Sequence, residues 1–293
     1  MSHSMPYSMR HRVQRDGGFT LVELVLVIVL IGIIGGVLTM QLAPAIQSYL
    51  LISQRAGLTS QADTALRRIT TEVRAAVPNS LRLNNPQCLD LVPTRDGGRY
   101  RMGPDTVNPN DAHINDAETG AAFDVLTPLN AMPTPGDAIV IGNRSPDDVY
   151  NDSNVGTVSA LAGPSPNAQA GITRIMLNAP IQIPQGYDGG RFLVVPGAER
   201  VVTYVCTQGV DKVTGNGTGF LTRFSRTTSG ATTCNAPAGT PAIVATRVSA
   251  CSFVVYTNQG ATQDSGFVQL QLTLTERGES VPLTIGTHVD NLP

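Results

Sequence analysis

"GGFTLVELVLVIVLIGIIGGVL", residues 17–38, is the stretch on which the reading of this chain turns. Residues 24–38 contain no polar side chain. With 19–23 in front and 39–43 behind, the apolar segment reaches 25 residues. At about 1.5 Å per residue that is roughly 37 Å of helix, enough to cross a bilayer. Arg10, Arg12 and Arg15 precede it, which predicts a cytoplasmic N-terminus and export of the chain beyond the apolar run. A secretory signal places its small residues after the apolar run. Here Gly17 and Gly18 stand before it.

Glu23 is the anomaly of the segment. A carboxylate costs roughly 2.5–3.5 kcal/mol at the centre of a membrane helix and less near its end. A cut after Gly18 would create a positive amino group on Phe19 and make Glu23 the fifth residue of the new chain. The carboxylate would then neutralise the amino group of a neighbouring subunit and set helix against helix. The plainer reading is an acid that snorkels to the interface of an ordinary anchor.

Beyond Ala43 the helical pattern continues. Leu58, Ala62, Ala65, Leu66, Ile69, Val73, Ala76 and Val77 recur at three- and four-residue steps and make one apolar stripe. Pro78 and Asn79 predict the end of the helix, giving a helix over 19–77. Gly32, Gly35, Gly36 and Pro44 weaken it and predict an interruption or local melting. From residue 79 the pattern turns to strands, at 89–93, 121–126, 138–142, 172–178, 192–195, 200–206, 220–225, 243–248, 252–256, 267–275 and 281–287. "GFVQLQLTLTERGESVPLTIG" is the clearest hairpin. An apolar helix face needs an apolar sheet face, so the expected fold class is α+β, a long helix laid on a mainly antiparallel sheet.

Composition agrees with many turns and short strands. Of 293 residues, 41% are hydrophobic and 14% charged, with 29 Gly and 20 Pro. Residues 1–18 carry three arginines against Asp16, net +2, which leaves −4 for the remainder of a chain of net charge −2. That remainder has no basic run, so no nucleic-acid partner is expected. Cys88, Cys206, Cys234 and Cys251 form no C-x-x-C pair. An even count beyond a membrane segment predicts disulfides in an oxidising compartment. Three connectivities exist; the expectation is Cys206 with Cys234 around a hairpin-like stretch, leaving Cys88 with Cys251.

"GFTLVEL", behind a basic leader and ahead of a long apolar run, resembles the class III signal of type IV pilins and type II secretion pseudopilins. The resemblance implies a type IV pilin-like fold and a fixed processing scheme. A prepilin peptidase would cut between Gly18 and Phe19 and methylate the amino group of Phe19. Glu23 would serve assembly and register. The implied organisation is a leader over 1–18, a transmembrane and filament-core helix over 19–43, an amphipathic half over 44–78, and a periplasmic β-rich domain over 79–293. Met5 and Met9 are alternative starts; from Met9 the leader would read MRHRVQRDGG. "TALRRITTEVRAAVPNSLR", "LVPTRDGGRYR", "FDVLTPLN", "RVSACSFVVY" and "THVDNLP" are similar to the O-type minor pilin-like proteins of the MSHA (mannose-sensitive haemagglutinin) pilus system, and more loosely to J-type minor pseudopilins. Implied partners are the prepilin peptidase, the inner membrane, a platform protein, an assembly ATPase, the major pilin and other minor pilins. A tip adhesin or a DNA-uptake subunit is a further alternative.

Reactive chemistry is sparse. His113 and His288, the two histidines beyond the leader, have no nucleophile signature nearby, and no Gly-rich phosphate loop with lysine occurs. No enzyme activity, cofactor or metal is assigned. Asp105, Asp111, Asp116 and Glu118 gather in one loop and Asp147, Asp148 and Asp152 in another. Their spacing does not match an EF-hand, and such residues populate ordinary turns. Arg95, Arg99, Tyr100 and Arg101 are read as flanking an Asp-Gly-Gly turn with solvated arginines.

Overall fold

The computed structural model describes residues 18–107, 110–163, 171–230, 234, 239–256 and 267–289. The chain divides into two units, Met1–Ser53 and Gln54–Pro293. In the first, helix α1, which runs Leu21–Arg74, begins directly after Thr20. Its apolar side chains are exposed throughout residues 21–42 and 44–53, and an 18-residue window of mean hydropathy 3.0 has no buried share. A helix that is apolar all round takes its cover from lipid or from other helices. Pro44 lies inside α1 and does not end it, contrary to the expected interruption. Proline removes one backbone donor; the bonds on either side continue the helix. The Thr39 hydroxyl donates back to the carbonyls of Gly35 and Gly36, as Ser and Thr do inside helices.

The second unit opens with the remainder of α1. Its stripe Leu58, Ala62, Ala65, Leu66, Ile69 and Val73 is buried, while Arg67 and Asp63 pair on the outer side at 2.7 Å. The helix stops at Arg74 rather than Val77, because the Val77 N–H is given to the Val92 carbonyl at 2.8 Å. The remaining elements are β1 (Arg82–Asn85), β2 (Cys88–Leu91), β3 (Asp96–Arg99), β4 (Gly120–Val125), β5 (Ala138–Val140), α2 (Pro146–Tyr150), β6 (Val155–Ala162), β7 (Thr173–Ile181), β8 (Arg191–Val195), β9 (Val201–Cys206), β10 (Gly219–Arg226), β11 (Thr240–Tyr256), β12 (Phe267–Glu276) and β13 (Glu279–His288).

They form two antiparallel sheets where one was expected. The first has seven strands in the order β1-β2-β9-β10-β11-β12-β13. Leu89, Leu91, Val202, Tyr204, Phe253, Val268, Leu270, Leu272 and Leu274 face α1 and build the main core. The second sheet, β3-β8-β5-β6-β7-β4, is inserted between β2 and β9. Its end strands meet: Tyr100, just past β3, bridges to Val125, the Leu126 N–H donates to the Arg99 carbonyl at 2.8 Å, and the Arg101 N–H to the Asp124 carbonyl at 2.9 Å. The sheet therefore closes on itself, which removes its edges. Phe123, Phe192, Ile139, Ile141, Ile175 and Val194 fill its interior. A third cluster, with Val77, Val92, Val140, Tyr150 and Val201, joins the two sheets.

The Asp-Gly-Gly segment is strand β3, not a turn. A Cβ at Gly97 would stand 2.8 Å from the Phe192 carbonyl oxygen, and one at Gly98 2.6 Å from Thr127 Oγ1. Close approach of strands, not chain reversal, accounts for these glycines. Of the flanking residues, Arg95 and Arg99 are exposed as expected, whereas Arg101 is half-buried and Tyr100 buried. Arg95 pairs with Asp137, Arg101 with Asp105 at 3.3 Å, and Tyr100 is buried against Phe123.

The disulfides are Cys88–Cys234 and Cys206–Cys251, with Cα separations of 5.9 and 6.5 Å. This corrects the expected pairing. β11 runs past the start of β10 at Val248, and its second half folds over the end of β9, where the Cys251 N–H donates to Gln208 Oε1 at 3.1 Å. The 17-residue length of β11 that creates this contact reads in sequence as two short strands.

One ion cluster pins the helix. Arg223 of β10 gives its Nε to both Glu72 oxygens and its two Nη groups to Glu199, all at 3.0 Å. Hydrogen bonding from Arg223 holds the Glu199 carboxyl below its ordinary 4.5. The resulting stabilisation is present above that value and lost as pH falls through the lower folded value. Arg223→Met is expected to cost about 1–3 kcal/mol in urea unfolding of the full chain at pH 7, and to flatten the acid limb of stability below pH 4.5. Non-reducing peptide mapping is expected to recover Cys88 linked to Cys234 and Cys206 linked to Cys251; a Cys206–Cys234 or Cys88–Cys251 peptide would contradict the strand order.

Candidate functional site

The start of α1 is built from few residues. Gly18, Phe19 and Thr20 are exposed and precede the helix. The peptide bond between Gly18 and Phe19 thus lies in non-helical chain, with Phe19 81% exposed. Among the described residues nothing lies within 4 Å of where a Cβ on Gly18 would sit. Gly17 lies outside the described residues.

Thr20 is the cap. Its Oγ1 accepts the Glu23 N–H at 3.2 Å, and its carbonyl accepts the Leu24 N–H at 3.2 Å. This satisfies one of the donors that every helix start leaves open. The sequence signal for it is Thr-x-x-Glu, "TLVE", a capping pattern not used in the reading of Glu23 as a membrane acid. Glu23 sits in the first turn, where the positive end of the helix dipole stabilises a carboxylate by about 0.3–1 kcal/mol. Among the described residues no ion pair reaches it. A cut after Gly18 would add an ammonium group one residue before the cap, a charge that the dipole opposes and Glu23 offsets.

Further along, Gly32, Gly35 and Gly36 also have nothing within 4 Å of an added Cβ. Each costs roughly 0.8–1.0 kcal/mol against alanine in a helix, with no close contact among the described residues that a side chain would disturb. The small surface they leave faces outward.

The other singled-out residues do not gather into a site. All four cysteines are bonded in pairs. Asp111 pairs with His113 at 2.8 Å, Asp116 accepts the Gly186 N–H at 2.7 Å, Asp148 accepts the Ser145 N–H at 3.0 Å, and Asp152 pairs with Arg200 at 3.0 Å. Among the described residues no three His, Cys, Asp or Glu side chains converge as a metal group.

Compared with known proteins, residues 14–39 match the family model described as the prokaryotic N-terminal methylation motif. No curated protein and no solved structure matches the chain. Thr20→Val is expected to weaken the first turn by about 1 kcal/mol, read as faster amide exchange at Glu23 and Leu24 in detergent, whereas Thr20→Ser restores protection. The chain thus carries a prepilin-type N-terminal methylation motif at the head of a long apolar helix, followed by antiparallel β structure, an α+β element order consistent with a type IV pilin-like fold.

Proposed function

We propose that this protein is a prepilin that becomes a minor subunit of a type IV pilus of the MSHA kind. The observation that carries the reading is the matched N-terminal motif, together with a helix whose apolar surface is exposed among the described residues. A prepilin peptidase cuts after Gly18 and methylates Phe19. Before assembly the helix lies in the inner membrane, with the leader in the cytoplasm and the β domain in the periplasm. On assembly it enters a bundle of like helices. Glu23 then neutralises the amino group of a neighbour, and the glycines and Pro44 permit local melting. The major pilin, other minor pilins, a platform protein and an assembly ATPase are its partners.

The role is structural rather than catalytic. It rests on the scarcity of reactive side chains in the sequence. The narrower MSHA assignment rests on the segments of the β domain and amphipathic helix that are similar to O-type proteins; a J-type pseudopilin of type II secretion is the alternative that shares the motif. Filament composition separates the two, since the protein would be found in sheared pili or in a secretion pseudopilus.

Co-expression with a prepilin peptidase is expected to yield an N-terminal peptide beginning at N-methylated Phe19, identified by its mass. An intact leader, with a control pilin cut in the same cells, would remove the reading. Glu23→Ala is expected to leave cleavage intact and to reduce incorporation into filaments at least tenfold by immunoblot of sheared material; unchanged incorporation would deny Glu23 its register role.

A further inference from the structure

The chain enters the second unit at one end of the seven-stranded sheet. Gln54 donates to the Glu276 carbonyl at 2.8 Å, and Arg55 pairs with Glu279 at 3.4 Å. Glu276 and Glu279 close the β12–β13 hairpin around Arg277 and Gly278. Exposed apolar side chains continue along α1 as far as Ile52, two residues before Gln54. From Leu21 to Ile52 the helix rises about 47 Å, against roughly 30 Å of hydrocarbon and 40–45 Å of bilayer with its headgroups. With α1 in a membrane, chain connectivity alone brings the hairpin end to the headgroups.

A second loop is built onto this end. The Asp211 carboxylate accepts the Val213 N–H at 2.9 Å and the Thr214 hydroxyl at 2.7 Å. Asn216 Oδ1 accepts the Arg277 N–H at 2.8 Å, and the Gly278 N–H donates to the Gly215 carbonyl at 2.9 Å. The loop is thereby fixed to the hairpin turn and presents Lys212, which is exposed, and Val213, which is 93% exposed.

Charges at this end are sorted by exposure. Arg55, Lys212, Arg247 and Arg277 are exposed. The acids are half-buried and engaged, Asp211 within its loop, Glu276 with Arg247 and Glu279 with Arg55. Lys212 and Arg277 have no ion partner among the described residues. Four cations against three acids leave +1 here, while residues 19–293 sum to −4. Two of the arginines stand against local preference, Arg247 with φ 59° and Arg277 with φ 51°. A two-residue turn with positive φ at both positions favours Asn or Asp before its glycine. Arginine in that place marks a use outside the turn. A valine beside cations matches a surface that is apolar below and anionic above, and each Lys or Arg held at an anionic leaflet shifts binding about fivefold. The bilayer that holds α1 is already within reach, whereas an acidic protein has to be recruited.

We propose that Lys212, Val213 and Arg277, with Arg55 and Arg247 beside them, dock the β domain on the anionic lipid headgroups of the bilayer that holds α1. The proposal rests on the membrane reading of α1. The chain contains no Trp, so Val213→Trp places a single indole on the loop. The full chain carrying it is reconstituted into phosphatidylcholine vesicles with or without phosphatidylglycerol, part of the phosphatidylcholine being brominated close to the headgroup. Quenching of the indole is expected to be about fivefold stronger with phosphatidylglycerol and to fall in high salt. Lys212→Gln combined with Arg277→Asn is expected to return it to the level of neutral vesicles. Asn is the residue that the turn favours, so this loss does not come from a lost hairpin. Arg191→Gln, which removes an exposed cation of the closed sheet, is expected to leave quenching unchanged. Equal quenching with and without phosphatidylglycerol overturns the proposal, as does quenching that survives the double substitution. Absence of quenching in all vesicles also overturns it, and self-association that salt disperses would then give this end to an acidic protein neighbour. Flotation of the vesicles after alkaline carbonate reads α1 separately. Protein that floats without quenching overturns the docking alone; protein that does not float overturns the membrane reading beneath it.

Discussion

The second unit depends on one contact: the stripe from Leu58 to Val73 of α1 against the inner face of the seven-stranded sheet. Ala62 and Ala65, both buried, let the helix backbone come close to the strands, while Leu66 and Ile69 fill the space between. Burial of this kind is the main favourable term in folding but is not directional. Direction comes from polar ties along the same line. Gln54 donates to the Glu276 carbonyl at 2.8 Å, Glu72 accepts from Arg223, and Arg74 donates to Thr287 at 3.1 Å. These bonds name the strand that lies under each turn of the helix, so the apolar stripe cannot slide by a turn without losing them.

The closed six-stranded sheet is an insertion that this arrangement tolerates because β2 and β9 are neighbours. Leaving from one and returning to the other disturbs no pairing in the first sheet. The joint between the two sheets is not only apolar. Arg82 lies 3.8 Å over the Tyr150 ring and pairs with the fully buried Asp90, which also accepts from Asn84 and Thr203. The Tyr150 hydroxyl donates to the Ser80 carbonyl at 3.0 Å. A buried carboxylate with three donors is costly to break, and here it lies where β1, β2, β9 and α2 meet. The disulfides close the same region from the other side, Cys88 on β2 and Cys206 on β9.

In contrast, the residues of greatest functional interest do little for the fold. Gly18, Gly32, Gly35 and Gly36 each stand in open space. The apolar residues between 21 and 53 are exposed among the described residues. A residue that carries a local cost without a local return is suited to something outside the molecule, here a peptidase, a bilayer and neighbouring helices in the proposed function. The buried Tyr100–Phe123–Phe192 cluster is the opposite case, since its rings pack the interior of the closed sheet.

The N-terminal segment was legible in sequence because its physics is local. Hydropathy along one helix, a Gly-Gly pair before it and an acid in its first turn need no long-range contact to be read. The α1 stripe and the β12–β13 hairpin were legible for the same reason, through periods of 3.6 and 2. The Thr20 cap is equally local, written in sequence as Thr-x-x-Glu at 20–23. What the tertiary structure alone decided is long-range. Sheet closure rests on Tyr100 meeting Val125, the disulfide partners on how far β11 overruns β10, and the purpose of Gly97 and Gly98 on the backbone and side chains that close over them from distant parts of the chain. Each depends on which strands become neighbours, a choice made by the sum of many weak burial terms that no short stretch of residues carries.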